Sequence, residues 1–320
     1  MVSIVYRPLA ADEFDLFNRY ATPPTSGVGA RSRTFDEFVA AGDYRPEWTW
    51  VALDGGDVIA RAAFWGPPGV PHPFSLDWFD PGTGPDRIDV GARLLQAAYA
   101  AVATPDYWSL PHPDGGRPDY LLFLPADWRE RAEATADAMD RINAAEQAGL
   151  FFSRERVNVR WVAGQGLPNR SGRLNFAPVT DRQQLLTTLA RVCEHSLDVE
   201  DQRQIAEGGP ETAAQAIMDE VASMPGGSSR WRLAMTRSNE IVGVVMPTRN
   251  PSSATIGYLG VVPEHRGRGY VDDLISEALH QFDAEDEPVV NDQTDAANTP
   301  MLAAFDRCGY RVTGRRVVMI

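Results

Sequence analysis

The stretch Gly260-Val261-Val262-Pro263-Glu264-His265-Arg266-Gly267-Arg268-Gly269-Tyr270, followed by Val271-Asp272-Asp273-Leu274-Ile275, decides the fold. An apolar run from Ile256 to Val262 reads as a strand, stops at Pro263, passes through a glycine-rich basic turn and enters a helix. The helix is predicted because Val271, Leu274, Ile275, Ala278, Leu279 and Phe282 recur at helical spacing on one face. This order builds an anion site. The first N–H groups of a helix have no intrahelical partner, and the peptide dipoles add partial positive charge there. Gly267 and Gly269 lack Cβ atoms, so a phosphate can approach the main chain, and Arg266 and Arg268 add forked donors. The plainer alternative is a strand-to-helix loop carrying a surface arginine pair.

A second segment lies downstream, where Asn298-Thr299-Pro300 opens a short helix, Phe305 follows seven residues after Asn298, and Gly309-Tyr310 opens a strand. Asn298 is expected to cap that helix, with Pro300 in its first turn, and Gly309 to end it in the left-handed conformation. Together the two segments resemble the GNAT superfamily of N-acetyltransferases, whose loop reads Arg/Gln-x-x-Gly-x-Gly/Ala after a Val-x-Pro strand end. Arg266 and Gly269 match, whereas Val271 departs from the final small residue.

The resemblance implies an α/β fold with a mixed, mostly antiparallel sheet flanked by helices. It also implies acetyl-CoA as cosubstrate, with no metal. The implied cofactor contacts are Leu259, Val261 and Val262 on a splayed strand, Arg266, Gly267, Arg268, Gly269, Tyr270 and Val271 in the loop, and Asn298 and Phe305 downstream. Catalytic side chains are not assigned. The family's tyrosine acid falls at Phe305, which has no hydroxyl, and the carboxylate seen in mycothiol synthase-like proteins falls nearest Thr255. Glu264, Asp292 or a water are the candidate general bases, and Tyr258 fits the cleft wall or the core equally. Cys193 and Cys308 are expected to be core thiols.

Two halves of the chain repeat one pattern. Val5-Tyr6-Arg7-Pro8-Leu9 and Asn175-Phe176-Ala177-Pro178-Val179 each precede a helix, the second with Thr180 and Gln183 spaced as a capping box. A hairpin follows in each, around Asp54-Gly55-Gly56-Asp57 and around Arg237-Ser238-Asn239-Glu240, then strand, helix, strand, helix and a closing strand at Val157–Val162 or Val312–Ile320. Residues 163–172 are rich in glycine, proline and small polar residues and read as a linker. The expected layout is a degenerate GNAT-like domain over 1–162 and an acetyl-CoA-binding domain over 173–320, as in tandem GNAT proteins. The first half is degenerate because Asp86 and Asp89 stand where Arg/Gln and Gly are expected. A carboxylate about 5 Å from a phosphate charge, at an effective dielectric near 20, costs roughly 3 kcal/mol.

Composition limits the function classes. With 320 residues, 43% of them hydrophobic, the chain can bury two cores. No apolar run approaches the roughly 18–20 residues of a membrane span, so the chain reads as cytoplasmic. A net charge of −14 argues against a nucleic-acid partner. Every basic side chain apart from histidine is arginine, so the chain has no side-chain amine to acetylate on itself. His72, His112, His195, His265 and His280 show no metal-ligand spacing. The reading is direct transfer of acetyl from acetyl-CoA to a primary amine of a small molecule, with the acceptor pocket expected in variable loops around His195–Gly226 and in the cleft between the halves. A non-catalytic acyl-CoA-binding module, and an acyltransferase using another acyl-CoA or a protein N-terminus, stay open as alternatives; so does the oligomeric state.

Overall fold

The computed structural model describes residues 4–20, 34–103, 117–250 and 253–320; His112 falls outside these ranges. Contacts divide the chain into two units, residues 1–155 with 314–320, and residues 156–313.

The first unit contains β1 (Val5–Pro8), α1 (Phe14–Asn18), α2 (Phe35–Ala40), β2 (Thr49–Asp54), β3 (Asp57–Trp65), β4 (Ser75–Asp80), α3 (Arg87–Val102), β5 (Asp119–Leu124) and α4 (Ala132–Gln147). Strands β1 to β5 lie in sequence order, antiparallel except for the parallel β4–β5 pair. Trp50, Phe64, Phe79 and Leu122 pack with Leu94, Leu95 and Ala98 of α3 and Ala138 of α4 in one buried cluster, while Phe17, Phe35, Tyr44 and Trp78 form another.

The second unit receives the chain along β6 (Phe152–Val162) and continues through β7 (Asn175–Pro178), α5 (Arg182–Cys193), α6 (Val199–Ser223), β8 (Arg232–Met235), β9 (Ile241–Arg249), β10 (Ala254–Val261), α7 (Tyr270–Asp283), β11 (Val289–Asp295) and α8 (Thr299–Arg307). Its strand order is β6-β11-β10-β9-β8-β7, antiparallel except for β10–β11. Leu185, Leu189 and Val192 of α5 pack with Ala213, Ile217 and Val221 of α6 against Leu233, Val244 and Met246. Leu274, Ile275, Ala278, Leu279 and Phe282 of α7 pack with Ala304 and Phe305 of α8 in a second cluster. Both units are therefore mixed sheets with helices on both faces.

Three expectations change. The closing strands are exchanged: residues 156–162 of β6 pair with β11, and residues 315–319 of β12 (Arg311–Met319) pair with β5. β6 alternates its buried residues at Val157, Val159 and Trp161, whereas β12 ends in the buried run Val317-Val318-Met319, and neither pattern says which sheet the strand joins. The segment expected as a loop after His195 is mostly α6, interrupted at Gly209 (φ 82°, ψ 174°) just before Pro210. Gly208-Gly209-Pro210 reads as a turn, yet Ala213, Ala214, Ile217, Met218 and Val221 supply a helical apolar face beyond it. Helix α5 is capped by Asp181, whose Oδ1 accepts from the Gln183 and Gln184 N–H groups, rather than by Thr180.

Candidate active site

The site begins where β10 and β11 part. Among the described residues these parallel strands pair only at Ala254 and Val290. Opposite β9, the register of β10 breaks between Ile256 and Tyr258, which makes Gly257 a bulge. Asp292 sits at the fork. Its Oδ1 accepts from Ile256 N–H at 2.7 Å and from Thr255 Oγ1 at 2.9 Å, and its Oδ2 accepts from the Tyr310 hydroxyl at 2.7 Å. The carboxylate thus takes the place of a ladder partner for Ile256. Burial pushes its pKa up to about 6, with the three donors opposing the shift.

Beyond the fork, the Val262 N–H donates to Val242 O across β9 at 2.9 Å. Alternation along a strand then turns the N–H groups of Leu259 and Val261 toward the gap. Helices α5 and α6 press closely on this strand: a Cβ on Gly260 would lie 2.1 Å from Val192 Cγ1, and one on Gly257 2.7 Å from Val221 Cγ1.

The gap runs into the glycine turn. Gly267 (φ 74°) and Gly269 (φ 72°) are both left-handed, and Gly269 caps α7. Among the described residues no acceptor meets the N–H groups of Gly267, Arg268, Gly269, Tyr270 or Val271. Arg266 does not add its guanidinium to this array, contrary to expectation. It donates to Val261 O (3.0 Å), Val192 O (2.8 Å) and His195 O (3.3 Å), satisfying carbonyls at the end of α5 and just beyond it. Arg268 is exposed and does not border the cavity, and Val262 is fully buried in the core under α5.

Sequence reading missed the brace behind the turn. Arg173 donates to Arg268 O at 3.0 Å, to Gly269 O at 3.1 Å and to Asp273 Oδ2 at 2.6 Å. Asp272 pairs with Arg307 at 2.7 Å, so both acids of the first helical turn have arginine partners.

A cavity of about 550 Å³ joins these parts. It is bordered by Leu259, Val261, Arg266, Gly267, Gly269, Tyr270, Val271, Asn298 and Phe305, and on another wall by Ser196, Leu197, Asp198, Asp201 and Tyr258. Asn298 caps α8 through the Met301 N–H at 3.3 Å. Phe305 is buried, its ring 4.8 Å from that of Tyr310, whose hydroxyl is committed to Asp292.

Asp201, from the first turn of α6, was not singled out by sequence. Its Oδ2 accepts from Ser196 Oγ at 2.6 Å and from the Tyr258 hydroxyl at 2.9 Å. Burial, with Asp198 and Glu200 nearby, pushes it up to about 6. The hydroxyl of Tyr258 is also 3.7 Å from Cys193 Sγ, and burial followed by the Asp201 charge holds this phenol well above its ordinary range. Glu264 is exposed, ion-paired with Arg191, and away from the cavity. Burial raises both Cys193 and Cys308 to about 12, which keeps the thiols protonated and poor as nucleophiles. Among the described residues no cluster of three His, Cys, Asp or Glu could hold a metal, and no helix is long and apolar enough to cross a membrane.

The equivalent place in the first unit is filled. Strands β4 and β5 pair at Ser75–Asp119 and Leu76–Tyr120. The buried Arg141 guanidinium follows, donating to Phe79 O at 2.8 Å and to Asp80 Oδ1 at 2.6 Å. A Cβ on Gly91 in α3 would lie 2.6 Å from Pro81 Cβ, and Asp86 and Asp89 stand at the helix start.

Residues 202–310 match the sequence model of the Acetyltransferase (GNAT) family, and they form a GNAT acetyltransferase domain. The fold is similar to that of a GCN5-related N-acetyltransferase from Sphaerobacter thermophilus, at TM-score 0.55 and 15% identity over 99% of this chain and 94% of that one. It is also similar to a functionally unknown conserved protein from Staphylococcus epidermidis ATCC 12228, at TM-score 0.52 and 12% identity over 81% and 89% of the two chains. A tandem GNAT protein from the clavulanic acid biosynthesis pathway aligns over 99% of this chain and 98% of its own, at TM-score 0.47 and 15% identity. No curated protein sequence matches the chain.

Proposed function

We propose that the chain is a cytoplasmic N-acetyltransferase that moves the acetyl group of acetyl-CoA directly to a primary amine of a small molecule, at one working site in the second unit. The observation that carries this reading is the forked β10–β11 pair opening onto a turn whose successive N–H groups meet no acceptor among the described residues. The pyrophosphate is bound by the N–H groups of residues 267–271, reinforced by the α7 dipole. The amides of the pantetheine arm extend β10 through Leu259 and Val261, as a missing strand would. The same N–H groups polarise the thioester carbonyl and stabilise the oxyanion that forms when the amine attacks. Asp292 is a positioning residue in this account, since all its hydrogen bonds hold the fork. The buried, protonated thiols support transfer without an acyl-enzyme.

Incubation with acetyl-CoA and a panel of primary amines tests the proposal. Amine-dependent release of free CoA thiol is expected; release at the hydrolysis background for every amine would overturn it. Phe305, apolar where the family carries a hydroxyl, favours a second reading, acyl-CoA binding without turnover. Tight binding with no amine-dependent thiol release would establish that reading instead.

A further inference from the structure

We propose that Asp201 is the carboxylate that receives the ammonium group of the acceptor, through its Oδ1 atom. The residue is 5% exposed and borders the cavity. Both hydrogen bonds to its carboxylate, from Ser196 and Tyr258, go to Oδ2, and among the described residues Oδ1 receives no donor. Neither of its acidic neighbours on the cavity wall is in this state. Asp292 has donors on both oxygens; Asp198 caps α6 through Oδ1 and approaches Arg156 through Oδ2 at 3.8 Å.

The groups facing Asp201 are Ser196 from the α5–α6 connection, Tyr258 from β10, Cys193 from α5, and Asp198 and Glu200 from α6. None is a cation. The two arginines that border the cavity are engaged elsewhere, Arg156 with Asp198 and Asp295, and Arg266 with the Val192, His195 and Val261 carbonyls. An ionised carboxylate removed from water without a counter-ion is costly, and among the described residues none pairs with Asp201, so a cationic ligand completes the site. Leu197, half-exposed on the same wall, offers apolar surface to the body of the amine. Tyr258, which donates to the carboxylate, immediately precedes Leu259, whose N–H faces the gap.

This inference deepens the proposed function and rests on it for the chemical step. There, the ammonium gives one proton to Asp201 and the neutral nitrogen forms a bond to the thioester carbon. The C–S bond then breaks, the second nitrogen proton passes to the leaving thiolate, and Asp201 returns its proton to solvent.

The test begins with binding, which needs no turnover. Benzylamine, hexylamine and glucosamine are titrated by calorimetry at pH 7.5 against benzyl alcohol, hexanol and glucose, using wild type and Asp201→Asn. Wild type is expected to prefer at least one amine over its uncharged partner by about tenfold or more, and the variant to lose that preference, as removal of a desolvated charge partner predicts. Acetyl-CoA affinity, unchanged in Asp201→Asn, shows that the fold is intact. In turnover, the variant should lose about 10²–10⁴ in kcat/KM for the amine, together with the acidic limb of the pH profile. Tyr258→Phe, which keeps the carboxylate but removes one donor to its charged form, should move that limb to higher pH. No amine preference in wild type, or the same preference in Asp201→Asn, would overturn the assignment. Absence of acetyl-CoA binding or of turnover in wild type would instead strike the proposed function, leaving the amine titration to decide on Asp201.

Discussion

Replacing Gly269 with valine probes the anion turn directly. Gly269 has φ 72° and ψ 17°, and a Cβ there would meet only Arg173 Nη2, at 3.9 Å. Space therefore permits the side chain, and the backbone conformation opposes it. The left-handed region costs an L-residue about 1–2 kcal/mol, more when it is β-branched. The turn relieves that strain by rotating the peptide units on either side of residue 269, which turns the N–H groups of residues 269 and 270 away from the ligand. A hydrogen bond to a charged group contributes about 1.5–3 kcal/mol, so two misdirected donors cost about 3–6 kcal/mol. That corresponds to an acetyl-CoA Kd weaker by about 10²–10⁴. Calorimetric titration measures it, with thermal melting to show that the variant is folded. Gly55→Val is the control, since Gly55 (φ 60°) lies in the β2–β3 turn with no atom within 4 Å of its Cβ position. It should lose similar stability and no affinity. A folded Gly269→Val protein that binds acetyl-CoA as wild type does would refute the assignment of the turn to the pyrophosphate.

Three further outcomes are expected. The raised pKa of Asp201, about 6 against about 4 unfolded, means that the native state binds more protons between those values, so this residue's contribution to stability falls as pH rises through that window. Asp201→Asn should gain about 2–3 kcal/mol relative to wild type between pH 4 and pH 8 in urea denaturation, and an unchanged difference would contradict the burial argument. Arg173→Ala removes the brace on the Arg268 and Gly269 carbonyls and should weaken acetyl-CoA about tenfold by calorimetry, with undiminished affinity counting against a preorganised turn. Cys193→Ala should keep turnover within about fivefold, and intact-mass measurement during turnover should detect no acetylated protein; a stable acyl-enzyme would contradict direct transfer.

The strand, turn and helix around Gly267 were legible because each announces itself locally. The predicted helix from Tyr270 to Phe282 is α7 (Tyr270–Asp283), Asn298 caps α8, and Gly309 is left-handed at its end, with φ 90°. What stayed hidden depends on partners distant in sequence. The Arg266 side chain looks like an anion ligand until the carbonyls at the end of α5 are known to lie beside it. Arg173 reads as the edge of a linker until the turn folds back over it, 96 residues away at Gly269. Asp201 lay in a stretch where Gly209 and Pro210 mask a helix, although Asp198 three residues earlier is a recognisable cap. The exchange of β6 and β12 escaped because an apolar strand pattern marks burial but not the sheet that the strand joins.

The central claim is that one anion turn and fork work while their counterpart in the first unit is closed by Arg141, Pro81 and two acids. Calorimetric titration of the full chain with acetyl-CoA tests this most directly. The account predicts saturation at one equivalent per chain. Saturation at two equal sites, or no binding at all, would contradict it.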